Sequence, residues 1–208
     1  MKAIFLLILL IFSSCLIELL GQEVVLIRHA KVDMDAKGWM RARKAAEYRK
    51  SYDVSPIHDF VSDEVLDQLP VLNSDTIYTS ALYRSKESAN CLFGDSAFFV
   101  AMPMLNEYEL HVVRWPLILP YKGWTRISRV MWLLGKKKEG VESHKEAKER
   151  TKEAVDFIEE KSLHNQQVVL VTHGFLNRNI GRELEKRGWT RTLNNGKTNL
   201  GATVLRKN

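Results

Sequence analysis

Cysteine is nearly absent, with only Cys15 and Cys91 in 208 residues, and no pair of ligand-type residues shows a zinc spacing. Once the first residues are removed only Cys91 remains, which rules out an intrachain disulfide. Beside Leu92 and Phe93 it is expected to be a core-packing thiol. There is no internal repeat, no low-complexity tract and no linker, so nothing divides the chain into two units. Basic residues are not interleaved with aromatics in any stripe, so the formal charge of +6 does not describe a nucleic-acid surface. A modest positive excess instead suits small anionic partners, phosphate esters among them. Long apolar runs are also missing, apart from residues 3–12.

That run has the order of a targeting segment. Lys2 gives a positive start, residues 3–12 an apolar core, and Ser13, Ser14 and Cys15 a small, mildly polar end. The core is too short to span a bilayer unless residues 15–20 extend it, and Glu18 opposes that. Three fates stay open: a cleaved secretory signal, lipidation at Cys15, or an uncleaved membrane anchor. An exported protein is expected, with the membrane touched only through residues 1–21, and a cytosolic transferase with an uncleaved N-terminal helix is the competing reading. A single domain is expected at 22–208, since this length buries one good core and hardly two.

A hydrophobic fraction of 45% and a charged fraction of 27% are those of an ordinary globular chain. Strands are expected at 24–28, 76–80, 168–172 and 202–205, with a further apolar run at 97–101, and helices at 38–52, 82–92, 126–134, 143–161 and 176–187. In the helix at 143–161, Ser143 serves as cap, Ala147, Ala154, Val155 and Ile158 form the buried stripe, and Glu146 and Arg150 lie on the wet face. Residues 57–74 read as irregular. Residues 108–140 carry Trp115, Trp124 and Trp132 with Tyr121. They form either a lid over a pocket or a secondary core. Alternating strands and helices imply an α/β fold, a doubly wound and largely parallel sheet with helices on both faces.

Two of these strands end alike. Val24-Val25-Leu26-Ile27 stops at Arg28-His29, and Val168-Val169-Leu170-Val171 stops at Thr172-His173-Gly174. In open α/β sheets the carboxyl ends of strands are where ligands bind. Two histidines there, with Arg28 beside one and further arginines between them, suit a tetrahedral anion.

With Thr79-Ser80-Ala81-Leu82-Tyr83-Arg84 and Leu105-Asn106-Glu107 added, four motifs over roughly residues 23–206 resemble the histidine phosphatase superfamily, in the family's order. The resemblance implies a phosphoglycerate mutase-like fold and a phosphomonoester hydrolase of exported type. His29 would be the nucleophile and form a phosphohistidine. Arg28, Arg84 and His173 would surround the phosphoryl oxygens, and Glu107 would act as acid and then base. Glu109, two residues on, is the competing carboxylate. No metal or cofactor is implied, because the arginines and His173 supply the positive charge.

The chain departs from the common motif at Ala30, where glycine is usual, at Lys31, where an acid is frequent, and at Asp35, where many members carry a phosphate-contacting asparagine. Asp35 would repel phosphate and is left out of the site. Ser80 is expected to be structural, and His58, His111, His144 and His164 to be solvated. Two other functions share these features: a non-catalytic phosphate-binding module and a phosphomutase-like phosphotransferase. The sequence leaves the substrate and the oligomeric state open.

Overall fold

Val24 to Ile27 and Val168 to Val171 are uncharged and mostly β-branched, and both runs fold as strands buried on two sides. The computed structural model describes residues 21–136 and 138–208, so the targeting segment expected at 1–21 lies, but for its last residue, outside the described residues, as does Lys137. Among the described residues no helix is long and apolar enough to cross a membrane.

In chain order the elements are β1 (Gln22–Arg28), β2 (Trp39–Arg41), α1 (Ala42–Val54), α2 (Ser62–Leu66), β3 (Thr76–Ser80), α3 (Tyr83–Phe93) and β4 (Phe98–Met102). Then come β5 (Ile118–Pro120), α4 (Tyr121–Leu133), α5 (His144–His164), β6 (Gln167–Thr172), α6 (Gly174–Lys186), β7 (Thr190–Asn194) and β8 (Ala202–Lys207). Six strands form one sheet in the order β4-β3-β6-β1-β8-β7. β4, β3, β6 and β1 run parallel, β8 runs against β1, and β7 runs against β8. This is the mixed, largely parallel α/β sheet expected.

Side chains alternate across a strand, and the two faces collect separate cores. Val24, Leu26, Val168 and Leu170 face Ala154, Val155 and Ile158 of α5 and Leu176, Ile180 and Leu184 of α6. Val25, Ile27, Val169 and Val171 face Ala89 and Leu92 of α3, with Val65 and Leu66 of α2 packed outside them. Each fully buried valine, leucine or isoleucine among them contributes about 1.5–3 kcal/mol. α5 starts on a capping box in which Ser143 accepts from the Glu146 amide and Glu146 from the Ser143 amide.

Several expectations needed correcting. The helix expected at 38–52 begins only at Ala42, because Trp39 to Arg41 pair with β5 in a small two-stranded ribbon. Residues 57–74 are not wholly irregular, since α2 lies within them. β7 was not anticipated: its alternation of threonine, arginine and leucine is weakly apolar, and it forms by hairpin pairing with β8. Cys91 is exposed, although its neighbour Leu92 is buried, and does not pack in the core. Arg150 turns from the wet face to Glu142 and to the carbonyls of Met104 and Asn106. In 108–140, Trp124 and Trp132 are buried, Trp124 in a third core with Met40 and Ala45, whereas Trp115 is exposed.

Candidate active site

Because β1, β6 and β3 are parallel neighbours, their carboxyl ends share one edge of the sheet. There Arg28, His29, Arg84 and Glu107 line a single cavity of about 620 Å³. The ring of His173 lies 5.0 Å from that of His29, edge to face. All five expected residues are thus brought together.

His29 is 3% exposed. Its Nδ1 lies 2.6 Å from the Ala30 carbonyl, and a carbonyl can only accept, so Nδ1 carries the proton and Nε2 keeps its lone pair free. Burial first, then the Arg84 and Arg28 charges, push the imidazole down to about 3, so the ring is neutral in ordinary conditions. The backbone on either side is held by Ser88 Oγ, which accepts from the Ala30 amide at 2.8 Å, and by Asn199, which donates to the His29 carbonyl at 2.9 Å.

His173 is fully buried, and the same causes, burial before the Arg84 charge, hold it well below the usual histidine range. Its Nε2 meets the Ser80 hydroxyl at 2.7 Å. Ser80 therefore positions the site as well as ending a strand. His173 Nδ1, Arg28 Nε and Arg84 Nε are buried and have no hydrogen-bond partner among the described residues. Buried polar groups are normally satisfied. Three such nitrogens at one strand edge, two of them obligate donors, suit a multiply accepting anion.

Arg84, in the first turn of α3, is 2% exposed and donates to Asp53 at 3.0 Å, as Arg49 also does. Both guanidinium groups lie over the Tyr52 ring, at 5.0 and 5.3 Å. Arg49, Tyr52 and Asp53 were not singled out from the sequence. Their one signal was the Arg49–Asp53 spacing of four on a helix.

Glu107 accepts from the amides of Tyr108 at 3.1 Å and of Phe175, in the first turn of α6, at 3.2 Å. Asn106 accepts from the Ala81 amide, and Arg150 grips the carbonyl of Asn106, so this loop is tied to β3 and to α5. Glu109 is exposed, lines a different hollow and accepts from the Glu142 amide. Asp35 is ion-paired with Lys37 at the surface. His58 and His164 are exposed, His111 and His144 half-buried, and none of the four lines the cavity.

Gly174 lets Arg28 lie against the start of α6, where a methyl group would meet Nε at 3.0 Å. Arg28 is also fixed through the 195–200 loop. Its guanidinium donates to the Lys197 carbonyl at 2.5 Å, and its carbonyl accepts from Leu200, a non-glycine residue held at φ 61. Among the described residues no three histidine, cysteine, aspartate or glutamate side chains are grouped to hold a metal ion.

Solved structures share this fold. One is Bacillus stearothermophilus YhfR, 20% identical with a TM-score of 0.53, covering 79% of this chain and 80% of that one. Another is the α-ribazole phosphatase of Shigella flexneri, 17% identical with a TM-score of 0.52, covering 77% and 79%. A third is a mycobacterial glucosyl-3-phosphoglycerate phosphatase complexed with VO3, 19% identical with a TM-score of 0.50, covering 79% and 82%. No curated protein matches the chain. The family profile, in contrast, runs without a break from residue 24 to residue 207, and by that match the chain belongs to the histidine phosphatase superfamily (branch 1).

Proposed function

We propose that this protein is a phosphomonoester hydrolase that works through a phosphohistidine on His29. The observation that carries this reading is the neutral His29 ring, whose Nδ1–H is spent on the Ala30 carbonyl so that Nε2 is left free to attack. Arg28, Arg84 and His173 take the phosphoryl oxygens. The two arginines act mainly by position and charge and the neutral His173 by position, as a loose phosphoryl-transfer transition state requires. Glu107, held by two amides, hands a proton to the leaving oxygen. It then takes one from the water that hydrolyses the phosphohistidine. Two of the three similar structures are described as phosphatases, which supports the same reaction class.

Rapid quenching with radiolabelled p-nitrophenyl phosphate tests this. An acid-labile, base-stable adduct on His29 is expected. Turnover without it, or an adduct that persists in His29→Ala, overturns the mechanism. A folded protein with no turnover from about pH 4 to about pH 8 would instead be a phosphate-binding module. We propose further that residues 1–21 direct export, which N-terminal sequencing of the cell-derived protein tests.

A further inference from the structure

The cavity at His29 is far larger than one phosphate group. At about 620 Å³ it lies in the range of small-molecule sites, roughly 300–1,000 Å³. Its lining is unbalanced in charge: Glu107 is the one carboxylate among the lining residues, against six arginines and Lys197. Three of those cations are answered from outside the cavity. Arg49 and Arg84 share Asp53, and Arg191 pairs with Glu185 at 3.0 Å. Arg28 belongs to the reacting phosphate. Arg178, Arg182 and Lys197 remain, all exposed and with no ion-pair or hydrogen-bond partner for their side chains among the described residues.

An exposed helix arginine is ordinarily a solvated side chain. The rest of α6 argues otherwise here. Lys186 pairs with Glu183 at 2.8 Å, and Arg187, which caps the helix, pairs with Glu159 at 2.9 Å. Away from the cavity this helix balances its cations, while Arg178 and Arg182, which line the cavity, are left unbalanced. They are also four residues apart, hence on one face. With His173 as the helix cap, a rise of about 1.5 Å per residue puts them about 7.5 and 13.5 Å along the axis from it. Lys197 closes the other side, its own carbonyl bound to Arg28.

We propose that Arg178, Arg182 and Lys197 form a second anion subsite, and that the substrate is a bisphosphorylated ester whose second phosphate is held there while the first reacts at His29. This rests on the reading of His29 as the site of phosphoryl transfer. Three cations suit a phosphate dianion better than a single carboxylate charge, and guanidinium groups match its oxygens in pairs. The span along α6 calls for a spacer between the two phosphates, which sets this ligand apart from pyrophosphate.

The test compares n-hexyl phosphate with hexane-1,6-diyl bisphosphate, both by calorimetric binding and by kcat/KM. The bisphosphate should be favoured by about tenfold or more, equivalent to about 1.4 kcal/mol. In Arg178→Gln/Arg182→Gln the advantage should fall to about twofold, because either end of a symmetric ligand can enter first. The Lys186→Gln variant, on the same helix but outside the cavity, should keep the full advantage, and Arg178→Lys/Arg182→Lys should keep most of it. A wild-type advantage of no more than about twofold, or a tenfold advantage that survives the double glutamine variant, overturns the subsite. If neither ester is hydrolysed but the binding ratio and its loss are observed, the hydrolase reading fails and the subsite stands. If both are hydrolysed with a ratio near two, the reverse holds.

Discussion

The two walls of the cavity hold their arginines in opposite ways. On the α1–α3 wall, Arg84 is almost wholly buried, and it shares Asp53 with Arg49 over the face of Tyr52. On the α6 wall, Arg178 and Arg182 are exposed and unpaired. A guanidinium withdrawn from water needs a counter-charge to exist in the folded protein at all, so the first wall is braced before any ligand arrives. An exposed guanidinium needs none and remains available. The difference separates two tasks that a phosphate site must combine: fixing a geometry around the reacting group, and drawing an anion toward it.

The largest effect belongs to the residue between the walls. His29→Ala should lower turnover of p-nitrophenyl phosphate by about a thousandfold or more, with circular dichroism and melting behaviour kept, since loss of a nucleophile costs orders of magnitude. Retention of more than about a tenth of the rate would leave the two walls with no nucleophile between them.

A pH titration of stability shows what the cations of both walls do to that residue. His29 is held near 3 in the folded protein by burial, then Arg84, then Arg28, against 6.5 as its ordinary value. As pH falls through 6.5 the unfolded chain takes up a proton that the folded one refuses, so stability is lost on acidification and regained as pH rises. For His29 alone the loss is on the order of 2 kcal/mol between pH 6.5 and about pH 4.5. His173 shifts in the same direction and adds to it. Urea midpoints across that range should fall for the wild type and less steeply for His29→Asn. Equal slopes would mean that His29 does not titrate between folded and unfolded states.

Asp53→Asn removes the brace from one wall only. Arg84 then stays buried without its counter-charge, and stability should drop by about 2 kcal/mol, less than for a fully buried pair because Asp53 is 40% exposed. Arg178→Gln, on the other wall, should change stability by less than about 0.5 kcal/mol. Similar losses from the two substitutions, measured by denaturant unfolding, would erase the distinction between braced and free cations.

The smallest effect separates the two carboxylates. Glu107→Gln should slow hydrolysis of an alkyl phosphate about tenfold more than it slows phosphoenzyme formation from p-nitrophenyl phosphate, whose leaving group hardly needs a proton. Glu109→Gln, outside the cavity, should affect neither. Burst kinetics on both variants with both substrates reads this. A selective loss in the Glu109 variant would move the acid to the neighbouring residue.

The parts of the site legible in the sequence were those where an apolar run stops abruptly. Arg28-His29 and His173-Gly174 stand out because nothing but a strand tip explains such a junction, and Ser143 with Glu146 announced α5 by the spacing of a capping box. The α1–α3 wall was not legible beyond Arg84. Arg49, Tyr52 and Asp53 sit in a helix with many charges and no motif, and only the packing of α1 beside α3 brings Arg84 to Asp53 and Tyr52. Arg178 and Arg182 were read merely as part of a helix, for what marks them is the absence of a carboxylate nearby, a property of the folded surface. Arg150 reads as a wet-face residue because, like Glu146 four residues earlier, it is charged and off the apolar stripe of α5. Its partner, Glu142, lies just before the helix cap.

The pairing of β1 with β8 has a mechanical consequence. The two strands are antiparallel, and their outer ends, Gln22 and Lys207, face each other at the edge of the sheet away from His29. Hydrogen bonds in such a pair lie across the strands, so a force pulling these two ends apart acts along the bonds and opens them one after another, like a zipper. The first pair to part is Gln22 with Lys207, and the last is Ile27 with Ala202, next to Arg28. A tug on Gln22 and Lys207 therefore frays the molecule from its far rim, and tension reaches the strand tip at Arg28 only after the rest of the ladder has gone.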